Sequence, residues 1–243
     1  MAARPKSPEA SPSPAPMHDV LIIGGGLVGS SLAIALDSIG IDVGLVEAVA
    51  PQASRDVGSS GESNIGAASV FDGRNLSFAE ATINALTALG VMQKLSVPSG
   101  PIERIHVSRQ GDFGRSVLVA SEHGRSEFGR VVVARDFGDA LEARLDELPR
   151  LTRYRPVRFV GLVDSDDAGC RGVRIADGSG ERAVHARLLV GADGTRSGVR
   201  EALGIGIHSH DYRQTLFVTR LRTDRPPDGT AYERLGDNGP TAL

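Results

Sequence analysis

Residues 19–36 read Asp-Val-Leu-Ile-Ile-Gly-Gly-Gly-Leu-Val-Gly-Ser-Ser-Leu-Ala-Ile-Ala-Leu. An apolar run is followed by three consecutive glycines. A stretch of small and apolar residues with the spacing of a helix comes next. Gly24, Gly26 and Gly29 have the spacing G-x-G-x-x-G. In this spacing the first glycine permits a tight turn, the second lets a pyrophosphate approach the backbone, and the third lets the helix pack on the strand. The stretch therefore predicts a strand, a turn and a helix that bind a dinucleotide.

A second predicted strand, at residues 41–47, ends on a carboxylate. Glu47 follows Gly24 by 23 positions, close to the distance expected for an acceptor of ribose hydroxyls. The free N–H groups and the dipole at the start of the preceding helix favour a phosphate there. The alternative is a glycine-rich turn in another kind of α/β protein. The strand before the glycines, the helix after them and the acid at the end of the second strand argue against this alternative.

Composition sets the class of protein. The 243 residues are 40% hydrophobic and 23% charged, which is typical of a globular chain. The net charge of −3 argues against a nucleic-acid partner, because neutralising phosphates needs a basic surface. Cys170 is the single cysteine, so no internal disulfide forms and a reducing, cytoplasmic location is expected. No apolar run of about 18 residues predicts a transmembrane helix.

The rest of the chain alternates between strand and helix patterns. Residues 1–16 form a Pro/Ser/Ala tract, which we predict to be a disordered tail. A glycine- and serine-rich loop at residues 48–69 precedes a helical pattern at 78–89. The segment 102–120 predicts a hairpin, and 129–148 predicts a strand that runs into a helix.

Further along, antiparallel strands are predicted at residues 153–166 and 171–186, with Asp177-Gly178 at a turn. This pattern indicates a β-meander inserted in the dinucleotide-binding domain. Two more strands are predicted at residues 212–223 and 231–235.

The second notable motif is Leu-Leu-Val-Gly-Ala-Asp-Gly-Thr-Arg-Ser-Gly-Val-Arg at residues 188–200. An apolar strand again runs into a turn with glycines and then into a helix start. Asp193 in this turn can accept from a ribityl or ribose hydroxyl, while Gly194 allows close backbone approach. The alternative is that Asp193 simply caps the following helix.

No catalytic or metal-binding side chains are predicted. His208 and His210 stand two positions apart, but no third ligand or carboxylate partner accompanies them in the sequence. A solvated loop is the better interpretation of that pair.

The chain resembles the flavin-dependent aromatic hydroxylases, which are single-component monooxygenases similar to p-hydroxybenzoate hydroxylase. Three features carry this resemblance: the glycine turn with Glu47, the Asp193 motif and the strand-to-helix junction at Arg135. The resemblance implies an α/β fold with a Rossmann-like FAD/NAD(P)-binding domain. In that family the glycine turn holds the FAD pyrophosphate, the strand-end acid holds the adenosine ribose, and the Asp-Gly turn touches both FAD and the nicotinamide donor. Two arginines lie near the FAD phosphates and beside the flavin. These roles fall on Gly24, Gly26, Gly29, Glu47, Arg74, Arg135, Asp193 and Gly194.

Residues 71–74, 211–215 and 231–243 resemble a subgroup, the ubiquinone-biosynthesis hydroxylases of the 2-polyprenyl-6-methoxyphenol hydroxylase type. This resemblance implies that NAD(P)H reduces FAD, that oxygen reacts with the reduced flavin, and that a small phenolic, polyprenylated substrate is hydroxylated. Peripheral association with the inner membrane or with a biosynthetic complex is a hypothesis drawn from that substrate class. The alternatives are another FAD-dependent oxidoreductase of the superfamily and a non-catalytic nucleotide-binding fragment.

The resemblance also implies the domain organisation. The FAD-binding domain would span residues 17–204, and residues 205–243 would begin a mixed-sheet substrate domain to which the hairpin at 102–120 contributes. The family carries a further Gly-Asp-Ala-type flavin-binding element downstream, and no such element follows Asp193. We therefore expect an N-terminal fragment, a truncated gene product or one half of a split gene with a separate C-terminal half. On its own it would bind FAD weakly and would not turn over.

Overall fold

The computed structural model describes residues 17–50, 74–163, 169–219, 221 and 223–243. The predicted tail at residues 1–16 and most of the predicted loop at 48–69 lie outside these ranges. Within them the fold is mixed α/β with several sheets. The helices are α1 (Leu27–Ser38), α2 (Glu80–Ala88), α3 (Ala134–Leu145) and α4 (Gly198–Ala202). The strands are β1 (Met17–Ile23), β2 (Val43–Val46), β3 (Asn75–Ala79), β4 (Gly100–Ile102), β5 (Arg104–Arg109), β6 (Arg115–Val119), β7 (Gly129–Val133), β8 (Leu151–Tyr154), β9 (Arg158–Val163), β10 (Arg171–Asp177), β11 (Gly180–Gly191), β12 (Thr230–Gly236) and β13 (Gly239–Ala242).

The largest sheet has the strand order β8-β2-β1-β11-β10-β9. Its first four strands are parallel to one another, and β10 and β9 run antiparallel to their neighbours. Strand β11 joins the two parts: its first half pairs with β10, and its second half pairs with β1. The predicted turn at Asp177-Gly178 lies between β10 and β11.

The core lies on both faces of this sheet. Side chains alternate along β1, so that Val20 and Ile22 belong to one apolar cluster and Leu21 and Ile23 to another. The first cluster includes side chains of α1 and α3, and the second includes Val199 of α4. A parallel strand covered on both faces needs an apolar residue at every position, which explains the uninterrupted run before the glycines.

Two smaller sheets complete the described fold. Strands β3, β7 and β4 form an antiparallel sheet, and the order β13-β12-β5-β6 gives a four-stranded sheet. The predicted hairpin forms as β5 and β6. Strand β12 pairs with β5 in parallel, so the hairpin and the last strands share one sheet.

Three elements differ from the sequence-based predictions. The start of the antiparallel strand predicted at 153–166 belongs instead to β8, which pairs with β2 in parallel. Residues 75–79 form β3, which pairs with β7, and the helix predicted from residue 78 begins at Glu80 instead. Residues 212–223 were predicted as a strand, but those among them that the structure describes are irregular and exposed. A strand needs a partner for its backbone groups, and the sequence pattern of one segment does not reveal that partner.

None of the helices in the described ranges is both long enough and apolar enough to cross a membrane.

Candidate functional site

The glycine turn lies at the carboxyl edge of the parallel strands, between the ends of β2 and β11. The Gly24 N–H donates to the Val46 carbonyl at 2.8 Å, and the Ala192 N–H donates to the Ile23 carbonyl at 2.7 Å. In open α/β sheets this edge is where ligands bind. The fold therefore brings the two sequence motifs to one place, although Gly24 and Asp193 are 169 positions apart.

Two glycines of the motif are required by packing. Gly24 has a φ of +107°, and a Cβ added there would lie 2.4 Å from the Ala192 carbonyl oxygen. A Cβ added to Gly29 would lie 1.9 Å from the Gly24 carbonyl oxygen. Both distances are far below van der Waals contact, so a side chain at either position would force the turn away from the helix or from β11.

Gly26 has a different role, because it faces open space. It is the N-cap of α1, and an added Cβ there would meet no atom within 4 Å. No side chain caps this helix end, and its first turn contains no acidic residue. The backbone N–H groups at the end of a 12-residue helix are thus accessible at a point that favours an anion, which fits a pyrophosphate.

Glu47 lies directly beside this turn. Its Oε2 accepts from the Gly25 N–H at 2.7 Å, and its Oε1 accepts from the Val49 N–H at 2.8 Å. A Cβ added to Gly25 would lie 2.9 Å from the Glu47 Cβ, so the carboxylate stem packs against the glycine backbone. A carboxylate has about four acceptor positions, so both oxygens keep capacity for ribose hydroxyls.

Asp193 lies in the turn that packs against Gly24. Its Oδ1 accepts from the Ser197 hydroxyl at 2.5 Å, and its Oδ2 accepts from the Val199 N–H at 3.2 Å. Burial acts to raise the pKa of Asp193, but these hydrogen bonds outweigh it and hold the pKa below its ordinary value. Asp193 thus supports the start of α4, but the N-cap residue of that helix is Ser197 and not Asp193, and the Asp193 carboxylate stays ionised as an acceptor.

Gly194, the next residue, has a φ of +81° with open space around an added Cβ. The left-handed backbone favours glycine here, and no atom of the described residues lies within 4 Å of the added Cβ.

The Arg74 main chain lies beside the start of α3, the helix whose second residue is Arg135. The Arg74 carbonyl accepts from the Ala134 N–H at 2.8 Å, which places the residue before β3 beside the first turn of that helix. Arg135 is exposed in the same turn. Helix α3 packs against α1, the helix that begins at the glycine turn. The main chains of Arg74 and Arg135, which the sequence places in separate segments, therefore lie close to each other at the start of α3.

Sequence reasoning missed several residues that shape this site. The Ser30 hydroxyl donates to the Gly25 carbonyl at 2.9 Å and so ties α1 to the turn. Glu142, Arg153 and Arg155 line a small concavity together with Gly25, Leu45 and Glu47. Ser30 could have been found from its place beside Gly29, whereas no local pattern marks the three charged residues.

Known proteins resemble this chain in sequence and fold. The family described as FAD binding domain matches residues 17–229. Ubiquinone hydroxylase UbiL of Rhodospirillum rubrum is 35% identical over 93% of this chain and 48% of that protein. The 3-demethoxyubiquinol 3-hydroxylase of Escherichia coli is 26% identical over 93% of this chain and 54% of that protein. The solved structure of p-nitrophenol 4-monooxygenase PnpA from Pseudomonas putida superposes with a TM-score of 0.60 at 18% identity, over 78% of this chain and 44% of that one. The chain thus spans about half the length of these relatives.

Proposed function

Because this chain belongs to the FAD binding domain family, we propose that it is the cofactor-binding part of a flavin-dependent monooxygenase of ubiquinone biosynthesis. The reaction would hydroxylate a phenolic, polyprenylated ring with NAD(P)H and O2. One observation carries the proposal: a helix N-terminus without a side-chain cap, where Gly26 leaves space for an added Cβ, lies beside the Glu47 carboxylate at one sheet edge. The 35% identity to the hydroxylase of Rhodospirillum rubrum supports the reaction class.

Each residue of the turn would bind a different part of FAD. The backbone around Gly24, Gly26 and Gly29 would hold the pyrophosphate, and Glu47 would accept from the adenosine ribose. Asp193 and Gly194 would contact the ribityl chain and the approaching NAD(P)H. Bound FAD supplies the redox chemistry, while the protein supplies position, electrostatics and exclusion of water.

Arg74 and Arg135 would add positive charge beside the phosphates. Arg135 lies in the first turn of α3 and the Arg74 main chain lies beside it, and this helix end itself favours anions, which supports the role. No side chain of the described site needs to act as a nucleophile or a metal ligand in this scheme.

We also infer the domain organisation. Residues 17–204 would form a Rossmann-like domain in which β9, β10 and the first half of β11 are the inserted meander. Residues 205–243 would begin a substrate domain whose sheet includes β5 and β6, and the pairing of β12 with β5 supports this division. A separate C-terminal half and attachment to a membrane or a biosynthetic complex would complete the enzyme.

Two other functions are the alternatives. One is another FAD-dependent oxidoreductase of the same superfamily, and the other is a nucleotide-binding fragment without turnover. The identity to a ubiquinone hydroxylase over most of this chain favours the first proposal over both.

The test is a titration of the purified chain with FAD. We expect quenching of flavin fluorescence and a saturable shift of the visible flavin bands, with FMN bound more weakly because it lacks the ADP half. A colourless preparation that takes up no added FAD would contradict the proposal. NADPH oxidation that depends on a ubiquinone-type phenol would separate the monooxygenase from the two alternatives.

A further inference from the structure

A largely buried arginine side chain, that of Arg155, binds the segment that follows Glu47. The Arg155 side chain is only 9% exposed. Its Nε donates to the Val49 carbonyl at 2.5 Å, and its Nη2 donates to the Ala50 carbonyl at 3.3 Å. A single guanidinium thus binds two consecutive carbonyls of a segment whose own side chains are exposed.

Arg155 is itself held from helix α3. Its Nη1 donates to Glu142 Oε1 at 2.8 Å, while Arg153 donates to the other oxygen of the same carboxylate. Arg153 also donates to Asp146 at 2.6 Å. The Glu142 carboxylate is therefore shared by two arginines, and the planar guanidinium of Arg155 is fixed between α3 and the segment after β2.

Val49 links this arginine to the Glu47 carboxylate. The Val49 carbonyl accepts from Arg155, and the Val49 N–H donates to Glu47 Oε1 at 2.8 Å. The main chain of Glu47 forms hydrogen bonds with residues before and after Arg155. Its N–H donates to the Tyr154 carbonyl at 2.9 Å, and its carbonyl accepts from the Val157 N–H at 2.8 Å. If Val49 were released, the Gly25 N–H would be the one remaining hydrogen-bond donor to the Glu47 carboxylate among the residues that the structure describes.

From these contacts we propose that Arg155 is a positioning residue for the nucleotide half of the cofactor. It fixes Val49 and, through it, holds the Glu47 carboxylate in one orientation. Ribose hydroxyls then meet an acceptor whose direction is already set, so less conformational freedom is lost on binding. The inference rests on the proposed FAD-binding function and extends it to a residue outside the glycine and Asp193 motifs.

The experiment is a double-mutant cycle on ligand affinity. FAD, ADP and FMN are titrated into the wild-type chain and into Arg155→Gln, Glu47→Gln and the double variant. We expect Arg155→Gln to bind FAD and ADP about tenfold more weakly. FMN affinity should not change, because FMN lacks the adenosine ribose. The double variant should bind no more weakly than Glu47→Gln alone, because Arg155 acts only through Glu47.

Additive losses in the double variant, or an equal loss of FMN affinity, would show a general structural effect and overturn the inference. Arg174→Gln is the matched control, because Arg174 forms an exposed ion pair with Glu181 in the same sheet. Its affinities should equal those of the wild type.

A second variant tests whether a loss of affinity in Arg155→Gln comes from misfolding. Arg155→Lys keeps a charge opposite Glu142 but cannot reach both carbonyls in the same geometry. It should fold, as judged by circular dichroism, and lose FAD affinity as Arg155→Gln does; wild-type affinity in this variant overturns the inference. A wild-type chain that binds neither FAD nor ADP refutes the proposed function and the inference with it, whereas intact binding in Arg155→Gln refutes the inference alone.

Discussion

At the scale of single residues, the four glycines from Gly24 to Gly29 have different structural roles. Gly24, Gly25 and Gly29 are needed because backbone or side-chain atoms lie where a Cβ would be. Gly26 alone among them faces open space at the end of a helix. Packing therefore selects three of these glycines, whereas the fourth has no packing requirement, and room for a ligand at Gly26 stays a prediction.

This difference predicts opposite outcomes for two alanine substitutions. Gly29→Ala places a methyl group 1.9 Å from the Gly24 carbonyl oxygen and should lower the free energy of unfolding by about 3 kcal/mol. Gly26→Ala should cost no more than about 1 kcal/mol, the usual range for an N-cap change, and should weaken FAD binding instead. Urea unfolding and FAD titration separate the two effects. Equal losses of stability in both variants would refute the assignment of open space at Gly26.

At the scale of elements, a buried polar contact joins three neighbouring segments of the large sheet. His18 of β1 bonds to Asp42 through Nδ1 at 2.8 Å and to the Tyr154 hydroxyl of β8 through Nε2 at 2.8 Å. Burial raises the pKa of Tyr154, Arg182 over its ring opposes this, and Asp42 adds to it. The neutral phenol is thus favoured, and it fixes the edge strand β8 to β1 across β2.

Removing this hydroxyl should loosen the β8 edge. Tyr154→Phe leaves a buried His18 nitrogen without its partner and should lower the free energy of unfolding by about 1–3 kcal/mol at neutral pH. A raised pKa in the folded state contributes stability that is present below the unfolded pKa of about 10 and is lost as pH rises through the folded value. The wild type should therefore lose stability above pH 10 more steeply than the variant.

Tyr232→Phe provides the control for that comparison. Tyr232 is 43% exposed, and its hydroxyl contacts Asp228 at 3.4 Å on the surface. Its removal should change the free energy of unfolding by less than about 0.5 kcal/mol. A Tyr154→Phe variant as stable as Tyr232→Phe would mean that the buried contact contributes nothing measurable.

At the scale of the whole molecule, burial is distributed unevenly among the sheets. Strands β1, β2, β10 and β11 of the large sheet contribute many fully buried side chains. In the four-stranded sheet, no residue of β5, β6, β12 or β13 is buried. The described part of the chain thus has one well-covered sheet and one sheet with water on its surfaces.

Hydrogen exchange should reveal this contrast within a single sample. Amides of β1 and β11 should exchange only by global unfolding, because their strands lie within two apolar clusters. Amides of β5 and β12 should exchange through local opening with a lower free energy, although these two strands are hydrogen-bonded to each other. Equal protection in both sheets would indicate a source of stability for the four-stranded sheet that side-chain burial does not provide.

Local patterns predicted a large share of the site and of the fold. The glycine spacing and the turn at Asp193 follow from features a few residues apart, and Glu47 follows from its place 23 positions after Gly24 at the end of the next predicted strand. The hairpin of β5 and β6 and the strand that enters α3 were predicted for the same reason. The contacts of these residues with FAD stay predictions, since they depend on a ligand.

The sequence by itself determined the strand–turn–helix that opens the fold and the residue types that a dinucleotide site needs, because apolar period and glycine spacing act within one element. Only the tertiary structure decided that β11 pairs with both β10 and β1, that residues 75–79 form a strand, and that Arg155 reaches Val49. Each of these depends on strand register and on packing between distant segments. Backbone groups and buried charges must find partners somewhere, and which partners they find is settled by the assembled fold.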